Sequence, residues 1–531
     1  MGGVFVLDTA EMAKVSARGG FSLFWGLVAS TIISAVGVIV IARLLSPSEY
    51  GLVTVALTAP GLVTLFRDWG VNSAMIKYTA QYRSENRISE VKNILAAGLS
   101  FELALGLLLS LILFFLSDFI AAKIFNRPET TQLIQAASFI VLAGALLTIS
   151  QSLFTGYEKM ELSSITMICQ SISKTFLAPI LILFGFRAFG AVLGSTVSVL
   201  AAGLVGILLL YAKIYRKINA SNDGLKVVET LKTMLKFGLP LSISSILGGF
   251  LSQFYNFLVV IYCADALIGN YSVATNFIVL ITFFSTPIST VLFPAFSKLN
   301  PEHEDEMLRS AFQLSVKYAS LIVVPVAAAI MALSQPAVTT LFGEKYSYAP
   351  FYLTLLAVSY LYTAFGSLSV GNLIISQGET KFSMKLSLIT VAVGLPLSLI
   401  LIPKLVIIGL ILTTLVAGIP SLIIALWYVK RHYGATIDWT SSTKILSASI
   451  FSASATHLIL TQLSPPSWTE LALGAIAFLT IYIISVSLIG AVKRSDIENI
   501  KEMMKELGPI SKLLNPPLNI IEKLIQKIHK A

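Results

Sequence analysis

The chain reads as an all-α polytopic membrane protein of about 14 transmembrane helices, built as two parallel six-helix repeats plus two C-terminal helices. Three observations lead there. The 531 residues are 56% hydrophobic and only 12% charged, about half the charge of an ordinary soluble domain. Apolar runs of twenty or more residues recur from end to end, each long enough to cross a bilayer as a helix, and the alternating ten-residue segments of a closed barrel are absent. Segments 218 to 222 residues apart also resemble one another.

Apolar runs between polar or Pro/Gly breaks place the first six spans near 21–45, 50–76, 93–117, 130–156, 162–185 and 188–212. The next six lie near 237–262, 267–293, 311–334, 348–376, 382–402 and 406–428, and two more near 443–463 and 469–491. The domains follow: a six-helix lobe over 1–212, a cytoplasmic linker over 213–236, a second lobe over 237–430, two added helices over 443–491, and a cytoplasmic tail over 492–531. With the N-terminus inside, 28 of the 37 Lys and Arg residues fall on cytoplasmic segments and six on external loops. That asymmetry is the one basic residues show across a membrane. It assigns a multi-pass protein of the cell membrane with both termini cytoplasmic. The net charge of +10 marks cytoplasmic loops and calls for no nucleic acid. The first apolar run is too long for a signal-peptide core and reads as a retained helix. In the basic tail, Ile521, Leu524, Ile525 and Ile528 share one helical face, the pattern of a helix lying on an anionic leaflet.

The repeat shows in particular residues. Aligning Gly51 with Gly269 pairs Val55 with Val273 and Ala56 with Ala274, an offset of 218. "GYEK" (156–159) matches "GETK" (378–381) at 222, and Gly190 matches Gly409 at 219. Six is even, so both copies enter the membrane in the same sense. Transporters built from such parallel repeats bind substrate between the halves and open them alternately.

Charge inside hydrocarbon is costly and needs a reason. The three of the 37 Lys and Arg residues that remain lie within helices: Arg67, Lys174 and Lys317. Arg67 lies ten residues before Lys77 and Glu102 ten residues after Lys92, which puts both about 15 Å deep at the helical rise and lets them meet across a hairpin. One account makes Arg67 and Glu102 a structural ion pair and lets Lys317 snorkel. The other makes Arg67, Lys174 and Lys317 a cationic cavity patch for a diphosphate, with Asp68 and Glu102 tuning it or taking a coupling proton. Polar stripes at helical spacing offer cavity lining: Ser30 and Ser34 in the first span, Ser245, Ser252, Gln253 and Asn256 in the seventh, Thr275 in the eighth. Such stripes also serve helix packing. Phosphate loops, HExxH and GxSxG are missing, and Cys169 and Cys263 have no metal or redox spacing, so the reading is a non-enzyme without cofactor or metal.

"IARLLSPSEYGLVTVAL" (41–57) followed by "DWGVNSAMIKY" (68–78) resembles the opening of polysaccharide transporter (O-antigen/oligosaccharide flippase) family proteins, part of the multidrug/oligosaccharidyl-lipid/polysaccharide superfamily. "LKFGLPLSISSILGGFLSQ" (235–253), "GNYSVAT" (269–275) and "LFPAFSKL" (292–299) resemble that family's second lobe, and the likeness covers 15–430. The resemblance implies export of a polyprenyl-diphosphate-linked oligosaccharide, with cavity walls from the first, second, seventh and eighth spans. It also implies membrane lipids, and glycan-polymerising or glycosyltransferase proteins, as partners. A cation-coupled drug exporter would want an anionic cavity, yet Phe21–Ala42 holds no acidic residue. A murein lipid precursor flippase differs only in glycan and stays open.

Overall fold

The computed structural model describes residues 9–217, 226–299, 305–463 and 466–492, together with 496, 498 and 501. The described residues are helical, without a strand. In chain order the helices are α1 (Thr9–Leu44), α2 (Pro47–Thr64), α3 (Val71–Ser84), α4 (Ile88–Phe119), α5 (Thr131–Gly156), α6 (Met160–Leu181), α7 (Arg187–Lys213) and α8 (Val227–Tyr262). Then come α9 (Asp265–Ser297), α10 (Asp305–Ala332), α11 (Ser334–Phe342), α12 (Ala349–Leu361), α13 (Ser367–Ser376), α14 (Thr380–Ala417), α15 (Ile419–Tyr433), α16 (Trp439–Leu463) and α17 (Ser467–Leu488). The chain divides into two compact units, Met1–Gly269 and Asn270–Ala531. Most of the expected tail lies outside the described residues, as do residues 218–225 of the expected linker.

Nine helical stretches among the described residues are long and apolar enough to cross a membrane, or ten if the pair bent by 56° at Gly366 counts as one. Two of the nine, Met160–Lys213 and Thr380–Tyr433, run 54 residues, about 80 Å at the helical rise and more than twice what a bilayer needs. Each is interrupted: at Gly185–Arg187 in the first and Val406 in the second. The protein is a multi-pass helical membrane protein.

The repeat is visible in backbone geometry. α1 and α8 are both 36 residues long and start 218 apart, and α2 and α9 also start 218 apart. The corner before α6 and the corner before α14 close with the same hydrogen bonds, Tyr157, Glu158 and Lys159 N–H to Leu153, Thr155 and Phe154 carbonyls, and Gln377, Gly378 and Glu379 N–H to Leu373, Ile375 and Ile374. Their offset is 220, not the 222 that letter matching gave. The shared feature is a left-handed residue, Glu158 (φ 57°) in one copy and Gly378 (φ 81°) in the other, so the lettered glycines are not equivalent. Arg187 (φ 44°, ψ −127°) and Val406 (φ 56°, ψ −126°) form a second matched corner at 219.

That second corner explains Gly190 and Gly409. A Cβ on Gly190 would meet the Leu181–Ile182 backbone, and one on Gly409 would drive into the Leu401 carbonyl. Each glycine lets the chain fold back against the helix it has just left. Gly409→Ala should therefore cost about 1–3 kcal/mol by overpacking, read as a lower melting temperature in detergent. A melting temperature equal to that of the wild type would show that the corner is not close-packed.

The two copies differ in where a span is broken. The expected second span, 50–76, is not continuous: α2 stops at Thr64, and α3 starts at Val71 after the stretch Leu65–Gly70. The equivalent stretch of α9, 218 residues on, is unbroken helix. Conversely, α12 and α13 are parted at Gly366 where α5 runs on. In a bilayer, a break leaves backbone groups that must find partners inside the protein. The charged residues of the expected second span sit in such a break.

Candidate functional site

The Leu65–Gly70 break is assembled within the first unit. α2 enters under a Ser46–Glu49 capping box with Pro47 in its first turn and unwinds in a tight turn, Phe66 and Arg67 N–H reaching the Val63 and Thr64 carbonyls. Trp69 (φ 49°) and Gly70 (φ 76°) are both left-handed. Gly70 has no room for a side chain, because a Cβ would strike the Gly238 backbone of α8. On the far side, Val71, Ala74 and Met75 of α3 pack into a buried core with Ile94 of α4, Ile149 and Phe154 of α5, and Met234 of α8. Packing on three helices, rather than local propensity, holds the break in place.

Arg67 is 4% exposed. Its Nε lies 3.2 Å from Glu102 Oε2, a contact that is an ion pair by distance without hydrogen-bond alignment. Nη1 donates to the Val141 carbonyl (3.2 Å) and Nη2 to Thr148 Oγ1 (2.9 Å). Gly144 makes the space, since a Cβ there would press on Nη1. Asn72 joins the carboxylates: its Nδ2 donates to Asp68 Oδ1 (2.9 Å) and Glu102 Oε1 (2.8 Å), and its Oδ1 accepts from Ser152 Oγ (3.1 Å). Asp68 Oδ1 also accepts the Asn72 backbone N–H (2.9 Å), one of the free donors that open α3. The cluster thus ties break, α4 and α5 together through one cation and two carboxylates. Of the two accounts of Arg67, the structure has the ion pair with Glu102: the residue is enclosed, and its three nitrogens reach three partners on α4 and α5.

Lys317 is likewise paired rather than snorkelling. It is 8% exposed and meets Asp496 Oδ2 at 2.6 Å, with the Tyr318 hydroxyl 3.4 Å from Asp496 Oδ1. Counted from the spans alone, the buried charges left one positive over. Asp496, which lies beyond the last span, cancels that surplus. Lys174, twelve residues along α6 from Leu162, is half-buried and makes no hydrogen bond or ion pair with any described residue.

The small polar stripe of α1 goes to packing. Ser30 is buried and donates to the Leu27 carbonyl, Ser34 donates to Ser171 of α6 (2.9 Å), and Thr175 of α6 donates to the Ile33 carbonyl (2.9 Å). Gly26 and Gly37 lie directly under Ser164 and Thr175, the close approach that small residues permit. α8 differs. Gln253 borders a crevice of about 410 Å³ with Leu57, Pro60, Leu65 and Ile140. Asn256 donates to Gln253 at 3.5 Å, and Ser252 is exposed. The Ser245 side chain lies outside the described residues, and Thr275 donates to the Ser272 carbonyl (2.9 Å) in α9. A second crevice of about 100 Å³ adjoins at Leu65 and is lined by Asp68, Trp69, Ser73 and Ser242.

Asn72, Thr148, Ser152, Trp69 and Asp496 had not been singled out in the sequence. Asn72 carried one signal, its place four residues after Asp68 and just behind a glycine in an apolar span.

Comparison with known proteins gives this geometry a setting. The model of a family described as polysaccharide biosynthesis protein matches residues 40–350. The lipopolysaccharide biosynthesis protein WzxC of Escherichia coli K12 is 27% identical over 390 residues, covering 70% of this chain and 73% of its own. The succinoglycan biosynthesis transport protein ExoT of Rhizobium meliloti 1021 is 26% identical over 327 residues, covering 60% and 61%. Among solved structures, the lipid II flippase MurJ in an inward closed conformation superposes with a TM-score of 0.71 at 16% identity, covering 89% of this chain and 98% of its own. That likeness is one of fold.

Proposed function

Because this chain belongs to the polysaccharide biosynthesis protein family, we propose that it moves a polyprenyl-diphosphate-linked oligosaccharide across the cytoplasmic membrane by alternating access of its two repeats. Two of its relatives are named for lipopolysaccharide and succinoglycan biosynthesis, the second as a transport protein. Glycans of that kind are assembled on lipid carriers, so a membrane-embedded substrate suits a protein with nine or more helical stretches able to cross a membrane among its described residues.

The observation that carries the reading is Lys174. An ammonium held mid-span without a partner is costly, and an anionic ligand removes that cost. A diphosphate is such a ligand, and its remaining oxygens can accept further hydrogen bonds. Arg67 and Lys317 serve differently in this reading: each anchors a packed region through a buried ion pair, and the attraction for the head group is local to Lys174 rather than a net positive field. Both termini lie in the cytoplasm, where the basic loops are, and enzymes that build or polymerise the glycan are the natural partners. The protein performs no bond-making step of its own.

The test is reconstitution. Purified protein in vesicles should speed the appearance of a fluorescent polyprenyl-diphosphate oligosaccharide in the opposite leaflet, read by a membrane-impermeant quencher. A rate equal to that of protein-free vesicles, with transport of a lipophilic cation in its place, would move the protein to the drug-exporter class.

A further inference from the structure

The break that holds Arg67 also presents an open face at Trp69. Trp69 is 41% exposed. Its φ of 49° is one that a bulky residue rarely adopts, at a cost of about 1–3 kcal/mol. Glycine or asparagine would take the same turn more cheaply, so the turn alone does not call for an indole. The ring is also fixed in place. Its Nε1 donates to the Phe66 carbonyl (2.7 Å), and Phe101 stands edge-on with ring centroids 6.3 Å apart. The N–H edge is thereby satisfied, and the indole borders the crevice of about 100 Å³ with Asp68, Ser73 and Ser242.

Ser242 adds an independent sign. The residue is 8% exposed, and its hydroxyl has no hydrogen-bond partner among the described residues. A buried hydroxyl without a partner costs about 1–3 kcal/mol, and here it borders the same space as the indole. A lipid-facing surface would not set a carboxylate and two serines beside an aromatic ring. A sugar ring has the complementary surface: one face of C–H bonds that lies on an aromatic ring, and a rim of hydroxyls that both donate and accept. An indole with a few placed polar groups is the composition of a small-ligand site. Asp68 accepts two hydrogen bonds from Asn72 at Oδ1 alone, so a carboxylate that faces the crevice is held still by α3.

We propose that the Leu65–Gly70 break presents a pyranose subsite, in which the Trp69 indole stacks on one sugar ring of the substrate while Asp68, Ser73 and Ser242 bind its hydroxyls. The inference rests on the flippase reading and adds to it. Lys174 answers the diphosphate, and the break answers the sugar. A bulky organic cation is the competing occupant, since an indole and a carboxylate also attract positive charge. It would leave the Ser242 hydroxyl unpaired.

The experiment compares two probes on the full-length protein in detergent: a short-chain polyprenyl diphosphate carrying one N-acetylhexosamine, and the same lipid diphosphate without sugar. Affinity is read from ligand-induced thermal stabilisation. The wild type should prefer the sugar-bearing lipid by about tenfold, the scale of one stacked ring with its hydrogen bonds. Trp69→Gly relieves the backbone strain, so its melting temperature should equal or exceed that of the wild type while the preference falls close to one. Its affinity for the bare lipid should not move. Trp69→Phe should keep most of the preference, and Ser242→Ala should lose about a threefold part of it. An unchanged preference in Trp69→Gly overturns the subsite and leaves the flippase reading standing. Tetraphenylphosphonium binding that Trp69→Gly abolishes overturns it in favour of a cation site. A wild type that binds neither lipid overturns both readings.

Discussion

Arg67→Met should destabilise the protein by about 3–5 kcal/mol, the usual result of removing one member of a buried ion pair. The reason is what remains. Glu102 is 0% exposed, and without Arg67 its carboxylate keeps only the Asn72 amide on Oε1, with a second carboxylate, Asp68, on the same amide. Glu102→Leu should cost a similar amount, because it strands the guanidinium among Val141, Thr148 and Gly144. The double variant Arg67→Met/Glu102→Leu should recover most of the loss, since an apolar pair of similar volume replaces two charges that had to be desolvated. Thermal inactivation in detergent measures all three. Single variants within about 0.5 kcal/mol of the wild type would mean that water reaches the cluster. The double variant also separates strut from mechanism. A stable double variant that transports normally assigns the pair to holding the break, and a stable one that does not transport assigns it to the substrate pathway.

Lys174→Ala is expected to lower transport of lipid-linked glycan about 10- to 100-fold. That corresponds to one charge-assisted hydrogen bond to a phosphate oxygen, about 1.5–3 kcal/mol. Stability should move the other way. An unpartnered ammonium in α6 costs desolvation in the free protein, so the alanine variant should melt at the same temperature or higher. Opposite signs for stability and transport are what a binding residue shows and a packing residue does not. Lys174→Arg should retain much of the activity, because a guanidinium also binds phosphate, although its planar fork needs a different approach. Wild-type transport by Lys174→Ala would remove the residue from the mechanism, and a large fall in stability would make it a structural one.

How far the letters alone carry can be seen residue by residue. The helical, membrane-spanning class was legible because a chain in hydrocarbon must satisfy its own backbone hydrogen bonds, so an apolar run of twenty residues has one spanning form open to it. The repeat near an offset of 219 and the meeting of Arg67 with Glu102 follow from the same one-dimensional arithmetic. Three things did not follow from it. α2 and α3 are parted at Leu65–Gly70 although the run looks continuous, because the Gly238 backbone and the packed core set the break. Lys317 finds Asp496, 179 residues away, and no periodicity reports a partner at that distance. Ser30 and Ser34 line a helix contact and Ser242 a crevice, although all three are serines at helical spacing, because the face a serine presents is fixed only by what packs against it. A helical span is thus a property of the chain in its solvent, whereas a pairing or a cavity depends on which segments meet.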